Sequence, residues 1–374
     1  MRVLLLHNRY RAEGGEERAV SDIAALLSRK GHAVEVLERS SDAVTRVCAA
    51  RGMVLGGVDG REVAAAARRM RAEVVHAHNL HPLFGWRALA AARAAGARTV
   101  LHLHNFRLFC SIAVAYRDGA PCFRCRGANT LPGLLLRCRG QVAEAAVYAA
   151  GLHHQQARLF AHADRFVVVS EATARRLIEL GLPATPTVAI ANFVPRASFA
   201  ERSRAAEGEY ALATGRLVPE KGFDTAIVAA RRAGVPLVIA GEGPDADRLR
   251  MLAQGGDVRF TGRLHREALA QVRALAAVVL APSRWEEPCP YAVLDALAAG
   301  VPVRVSDRGG LPELVDRRHV LPAGDHRAWA ASLELLWRDR GARHAQGHEA
   351  LARAHARFGE DRYHEALMDV YAGG

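Results

Sequence analysis

The chain has 374 residues, half of them hydrophobic and about a quarter charged, a globular balance at a length that suits two domains better than one core. The formal net charge of +12 points to an anionic partner. No run of five or six Lys/Arg and no aromatic stacking module accompanies it, so nucleic acid is disfavoured, while a phosphorylated small molecule or loose contact with acidic lipid fits. No window approaches the ~20 apolar residues of a membrane span. The opening "MRVLLLHNRY" carries a strand-sized apolar run, too short for a signal peptide. The expected location is cytoplasmic, with any peripheral contact at the inner membrane face.

Strand-like runs alternate with alanine-rich helical stretches along the chain. In order they are "RVLLLHN", "AVEVLE", "EVVHAHN", "RTVLHLHN", "RFVVVS" and "TVAIANF", then "EYALATGRL", "PLVIAGEG", "VRFTGRL", "AVVLAP" and "VPVRVSD". They are short, nearly continuous in Val, Leu and Ile, and so read as strands buried on both faces of parallel sheets. Two consecutive sets predict an α/β protein of two doubly wound domains. The polar stretch 194–210 marks the boundary, giving domains at 1–195 and 196–355, and 356–374 as a terminal helix expected to pack back on the first domain. Ligands of such folds collect beyond the carboxyl ends of the strands, and two such edges facing each other would form a cleft.

Several motifs sit at those strand ends. Gly14-Gly15, within "HNRYRAEGGEERAV", lets backbone approach a ligand at a helix start that favours an anion. His76/His78 and His102/His104 are His-x-His pairs on one strand face, readable as a metal site, as hydrogen-bonded strand-end imidazoles, or as a polar lining at His104. Cys110, Cys122, Cys125 and Cys138 have a Cys-x2-Cys centre flanked at twelve and thirteen residues, which leaves structural zinc, a reduced cluster and disulfides open. Only two of the 51 basic residues are lysine, Lys30 and Lys221. Lys221 lies in "GRLVPEKGF" with Gly215 and Arg216, where a compact cation beside a planar one suits a pyrophosphate. In "SRWEEPCPYAVLDALAAG", Pro290 opens a helix from about Tyr291, with Glu287 on the loop before it and Asp295 inside it.

The order of "GRLVPEKG", "GEGP", "FTGRL" and "EEPCPYAVLDALAAGVPV…GGLPE" resembles the retaining nucleotide-sugar glycosyltransferases of family 4 over nearly the whole chain. The resemblance implies the GT-B architecture of two facing Rossmann-like domains with an inter-domain cleft. It implies that Arg216 and Lys221 hold a donor diphosphate, beside Gly14, Gly15, Gly215, Gly241, Arg263 and the amides of Tyr291, Ala292 and Val293. Glu287 matches the acid that contacts the transferred sugar, Asp295 the acid that binds the ribose, and His104 a histidine near sugar and acceptor. Glu287, Lys221, Arg216 and His104 are thus the expected catalytic residues. Two departures stand out: Asp295 is one methylene shorter than the usual Glu, and Pro290 replaces a common Gly and removes one N–H.

The function so implied is transfer of a sugar from a nucleoside-diphosphate donor to a hydroxyl of a saccharide, lipid or small molecule, with retention. No cofactor is required for catalysis on this reading, and zinc would be structural. The rivals are another GT-B enzyme, such as a sugar-nucleotide epimerase or a pseudo-glycosyltransferase, and a non-catalytic nucleotide-sugar binding protein. A nicotinamide-dependent oxidoreductase is disfavoured, since no G-x-G-x-x-G follows the first strand.

Overall fold

The computed structural model describes residues 1–9 and 14–373; residues 10–13, part of the first glycine-containing turn, and residue 374 lie outside the described residues. The chain divides into two compact units. The first comprises residues 1–115, 122–191 and 363–374, and the second comprises 116–121 and 192–362.

In the first unit β1 (Arg2–Arg9), β2 (Ala33–Ser40), β3 (Val74–Ala77) and β4 (Arg98–Leu103) build a sheet. After a two-residue-strand hairpin of β5 (Tyr116–Arg117) and β6 (Ala120–Pro121), the sheet is completed by β7 (Arg165–Val168) and β8 (Thr187–Ala189). The order is β2-β1-β3-β4-β7-β8, with every pairing parallel. The apolar run of β1 lies at its centre: Val3, Leu4, Leu5 and Leu6 are fully buried. Burying each leucine there contributes about 1.5–3 kcal/mol, which a central parallel strand collects on both faces.

In the second unit β9 (Tyr210–Thr214), β10 (Leu237–Ala240), β11 (Val258–Gly262), β12 (Ala276–Ala281), β13 (Val303–Ser306) and β14 (Val320–Leu321) follow in sequence. Their order is β11-β10-β9-β12-β13-β14, again parallel. Its core joins Ala211, Ala213, Leu237, Ile239, Val278 and Leu280 of the strands to Phe223, Ile227, Trp329 and Leu333 of the covering helices.

All eleven strand-like runs of the sequence become strands. Two departures have physical reasons. The edge strands β2 and β11 are half exposed rather than buried on both faces, because each has only one neighbour in the sheet. The chain leaves the first unit at 191/192 and re-enters it at 362/363, so residues 192–195 and 356–362 fall in the second unit. The terminal helix, Glu360–Ala372, begins in one unit and lies mostly in the other.

Strand order reverses between β1 and β3 in the first sheet and between β9 and β12 in the second. In doubly wound folds the helices depart to opposite faces beyond the carboxyl ends of such strand pairs, and ligands bind in the crevice between them.

Candidate functional site

At the reversal point of the second unit, β9 runs into Gly215 and Arg216, and β12 into Ser283 and the loop that carries Glu287. The two strand ends are joined by one ion pair. A short 3-10 turn over Pro219–Lys221 brings the Lys221 ammonium onto Oε1 of Glu287. The other carboxylate oxygen accepts from Ser283 Oγ at 2.7 Å and from Trp285 Nε1 at 2.6 Å. The Lys221 nitrogen also lies 5.6 Å from the Trp285 ring centroid, within cation–π range. Glu287 is 4% exposed, so its charge is removed from water and held by three donors. The backbone is pinned as well: the Gly310 amide donates to the Glu287 carbonyl at 2.8 Å, and Ser306 Oγ donates to the Ser283 carbonyl at 2.5 Å. Gly309, at φ 56°, is where the chain passes so close that a Cβ would meet the Glu287 carbonyl oxygen at 2.5 Å.

The neighbouring turn is equally tight. Gly215 and Gly241 end β9 and β10 side by side, and a Cβ on Gly241 would lie 1.8 Å from the Gly215 carbonyl oxygen. Gly241 is therefore required by backbone proximity, while Gly215 answers to its φ of 144° and would meet only the Phe223 ring, at 3.7 Å. Arg216 is exposed and stands 3.7 Å from Glu220, and Arg263 follows β11. The helix Tyr291–Ala298 has Pro290 at its N-cap. Its Val293 amide donates to the Pro290 carbonyl at 3.1 Å, closing the first turn on itself. Asp295 sits one turn further in and contacts Arg273 of the helix Arg266–Ala274 at 3.3 Å, both side chains nearly buried. The shorter acid is thus matched by a guanidinium that faces it.

At the reversal point of the first unit, Asn8 and Asn79 tie β1 to β3, with the Asn79 side-chain amide donating to the Asn8 carbonyl at 2.7 Å. Gly14 caps the helix Gly15–Arg29, and its amide donates to Glu17 Oε2 at 2.8 Å. Glu17 in turn lies 3.5 Å from His7, and Glu16 accepts from the Asn105 side-chain amide at 3.2 Å. Two carboxylates of the helix's own first turn therefore occupy the field where an incoming anion was expected from Gly14-Gly15.

His76, His78, His102 and His104 form a two-by-two array on one face of β3 and β4. His76 Nε2 meets His102 Nδ1 at 3.2 Å, and His78 Nδ1 meets His104 Nε2 at 2.9 Å. Tyr371 Oη meets His76 Nδ1 at 2.7 Å. His76, His78 and His102 offer nitrogens within 4.8 Å of one another. The rings of His76 and His102 are nearly parallel, at an interplanar angle of 10°, and the pair is hydrogen-bonded nitrogen to nitrogen. The hydrogen bonds pair the imidazoles two by two and leave the buried Nε2 atoms of His78 and His102 without a partner. Burial pushes His76, and the neighbouring His81, down to about 3, and His78 and His102 well below the usual imidazole range. Burial lowers His104 too, with Glu16 opposing.

Sequence reasoning brought Lys221 and Glu287 to one place but passed over Ser283 and Trp285, which lie in the same quoted stretch, and Arg273 and Tyr371. A Trp and a Ser two and four residues before a buried acid were the available signal. Arg273 and Tyr371 reach their partners from separate helices and leave no local trace.

Two family models match the chain, "Glycosyl transferase 4-like domain" over residues 14–192 and "Glycosyl transferases group 1" over residues 195–353. Among characterised relatives, a GDP-mannose-dependent alpha-(1-6)-phosphatidylinositol monomannoside mannosyltransferase of Mycobacterium tuberculosis is 38% identical over 135 residues, 32% of this chain and 35% of that protein. A GDP-mannose-dependent alpha-mannosyltransferase of Mycolicibacterium smegmatis is 34% identical over 164 residues, 42% of this chain and 43% of that one. The chain therefore spans well under half the length of these relatives. Two solved structures share the fold over nearly their whole length. Anabaena HepE in complex with UDP has a TM-score of 0.68 at 18% identity, covering 100% of both chains. Sucrose-phosphate synthase of Thermosynechococcus elongatus has 0.72 at 17%, covering 99% of this chain and 98% of that one. Among the described residues no helix is long and apolar enough to cross a membrane. With one glycosyl transferase model on each doubly wound unit, the chain belongs to the group 1 glycosyl transferases of family 4, with the GT-B fold.

Proposed function

We propose that the protein transfers a sugar from a nucleoside-diphosphate donor to an acceptor hydroxyl, with retention at the anomeric carbon. The observation that carries this reading is the Lys221–Glu287 pair at the β9/β12 reversal point. As the diphosphate departs, negative charge builds on its oxygens, and Lys221 with Arg216 supplies fixed positive charge to meet it. A carboxylate has about four acceptor sites. Three are taken on Glu287, by Lys221, Ser283 and Trp285, which leaves one for a hydroxyl of the transferred sugar. Retention would follow a front-face route, in which the leaving phosphate takes the acceptor proton. Asp295, with Arg273 beside it, is assigned to the ribose, and His104 to the acceptor side. The acceptor class is a saccharide, a lipid or a small natural product, and the charge of +12 suits acidic lipid at a membrane face.

The test is a thermal-shift series with UDP, GDP and their sugars. A ligand at 100 times its Kd adds about 2.7 kcal/mol to the native state, a rise of a few degrees. At least one nucleoside diphosphate should raise the melting temperature, and Lys221→Ala should shrink that rise. No shift with any nucleotide would overturn the reading. For a donor that works, the anomeric configuration of the product by NMR decides retention.

A further inference from the structure

We propose that His76, His78 and His102 hold one divalent transition-metal ion, zinc in the first place, on the face of β3 and β4. The site lies wholly within the first unit, and its test stands apart from that of the transfer reaction.

A His-x-His run on a strand puts both rings on one face. The parallel register sets His76 opposite Val100, so the next same-face position of β3, His78, stands beside His102 of β4. Each of the three buried rings offers a nitrogen, and these nitrogens lie within 4.8 Å of one another. Among the described residues no other three His, Cys, Asp or Glu side chains come together in this way, and Cys110, Cys122, Cys125 and Cys138, for which zinc was one sequence expectation, do not form such a set. His76 Nε2 and His102 Nδ1 are 3.2 Å apart. Two Zn–N bonds of about 2.0–2.1 Å at the tetrahedral angle span about 3.3 Å. An ion seated there replaces that one hydrogen bond by two metal bonds.

The other ring nitrogens agree. A metal-ligating imidazole engages its second nitrogen in a hydrogen bond that fixes the ring. Tyr371 Oη does this at His76 Nδ1, at 2.7 Å, and His104 Nε2 at His78 Nδ1, at 2.9 Å. His78 Nε2 is then left buried without a hydrogen-bond partner, and so is His102 Nε2. A buried polar atom left unpaired is costly, and an ion beside it removes that cost. Imidazole donors select zinc, with nickel and copper as competitors, over oxygen-seeking magnesium and calcium. His78 and His102 also line a cavity of about 20 Å³ with Glu16, His104 and Asn105, room for one water. Three imidazoles and a water complete a tetrahedron, and Glu16 brings negative charge to its open side.

The experiment adds zinc(II) to the chelator-treated full chain. One equivalent should bind per chain and raise the melting temperature by a few degrees, and magnesium(II) should not. X-ray absorption at the zinc edge should show nitrogen and oxygen neighbours alone, at about 2.0–2.1 Å, where sulfur would stand at about 2.3 Å. The paired change His78→Leu and His102→Leu should abolish binding, while Cys122→Ser with Cys125→Ser should leave it intact. Three outcomes overturn the proposal: no bound equivalent in the wild type, sulfur among the neighbours of the ion, or undiminished binding by the double histidine variant. The absorption measurement is made on the wild-type protein, so it decides the matter even where the leucine variant does not fold.

Discussion

The buried imidazoles make the first unit acid-sensitive, and the size of the effect follows from their burial. His76 and His81 are held down to about 3 in the folded state, against about 6.5 unfolded. Both are neutral in both states at pH 7.5, so stability is full there. As pH falls through 6.5 the unfolded chain gains protons that the folded chain refuses, and stability is lost progressively down to the folded value. At pH 5.5 each group contributes a loss of about 1.4 kcal/mol, the pair about 3 kcal/mol. This figure depends only on the folded values lying well below 5.5. If His78, His102 and His104 also stay neutral, the loss approaches about 7 kcal/mol, comparable with the whole stability of a domain. The second unit offers an internal reference: burial lowers His319 to about 4, and its partial exposure discounts that contribution to at most about 1 kcal/mol. Hydrogen exchange by mass spectrometry, corrected for intrinsic rates, reads both units at once. Between pH 7.5 and 5.5, peptides of β3 and β4 should lose at least about 2 kcal/mol more protection than peptides of β9 and β12. Equal losses in the two units would refute the argument, because they would mean that the array accepts protons while folded.

Two further outcomes follow from the second unit. Lys221→Ala leaves the Glu287 carboxylate buried with two neutral donors, and should lower stability by about 2 kcal/mol in urea denaturation; adding Glu287→Ala should recover part of that loss, and strict additivity of the two would sink the idea of a coupled pair. Gly241→Ala places a methyl 1.8 Å from the Gly215 carbonyl oxygen and should cost about 3 kcal/mol or more, with the same variant at solvent-facing Gly234 as a control.

The parallel strands were legible because burial on both faces writes itself as unbroken apolar runs. The hairpin β5–β6 and the strand β14 were not, since two residues cannot show a period. Lys221 stood out through the rarity of lysine, and Glu287 through its place in a motif; the structure joins them directly. The expected phosphate amides are harder. Those of Gly14 and Val293 have internal acceptors, a matter of local hydrogen bonding that residue identity does not encode. Asp295 meets an arginine 22 positions earlier in the chain, a contact set by how two helices lie on one sheet.

The second unit interrupts the first, and this has a consequence for how the protein is made. Tyr371 bonds His76, Arg98 holds the Tyr371 carbonyl at 3.0 Å, and Arg165 holds the Gly373 carbonyl at 2.7 Å. During synthesis the first sheet therefore waits for a helix that leaves the ribosome only after the whole second unit. The second unit can close as a continuous stretch while the first remains unsealed over its histidine face. An arrested chain ending at residue 362 would capture that half-built state.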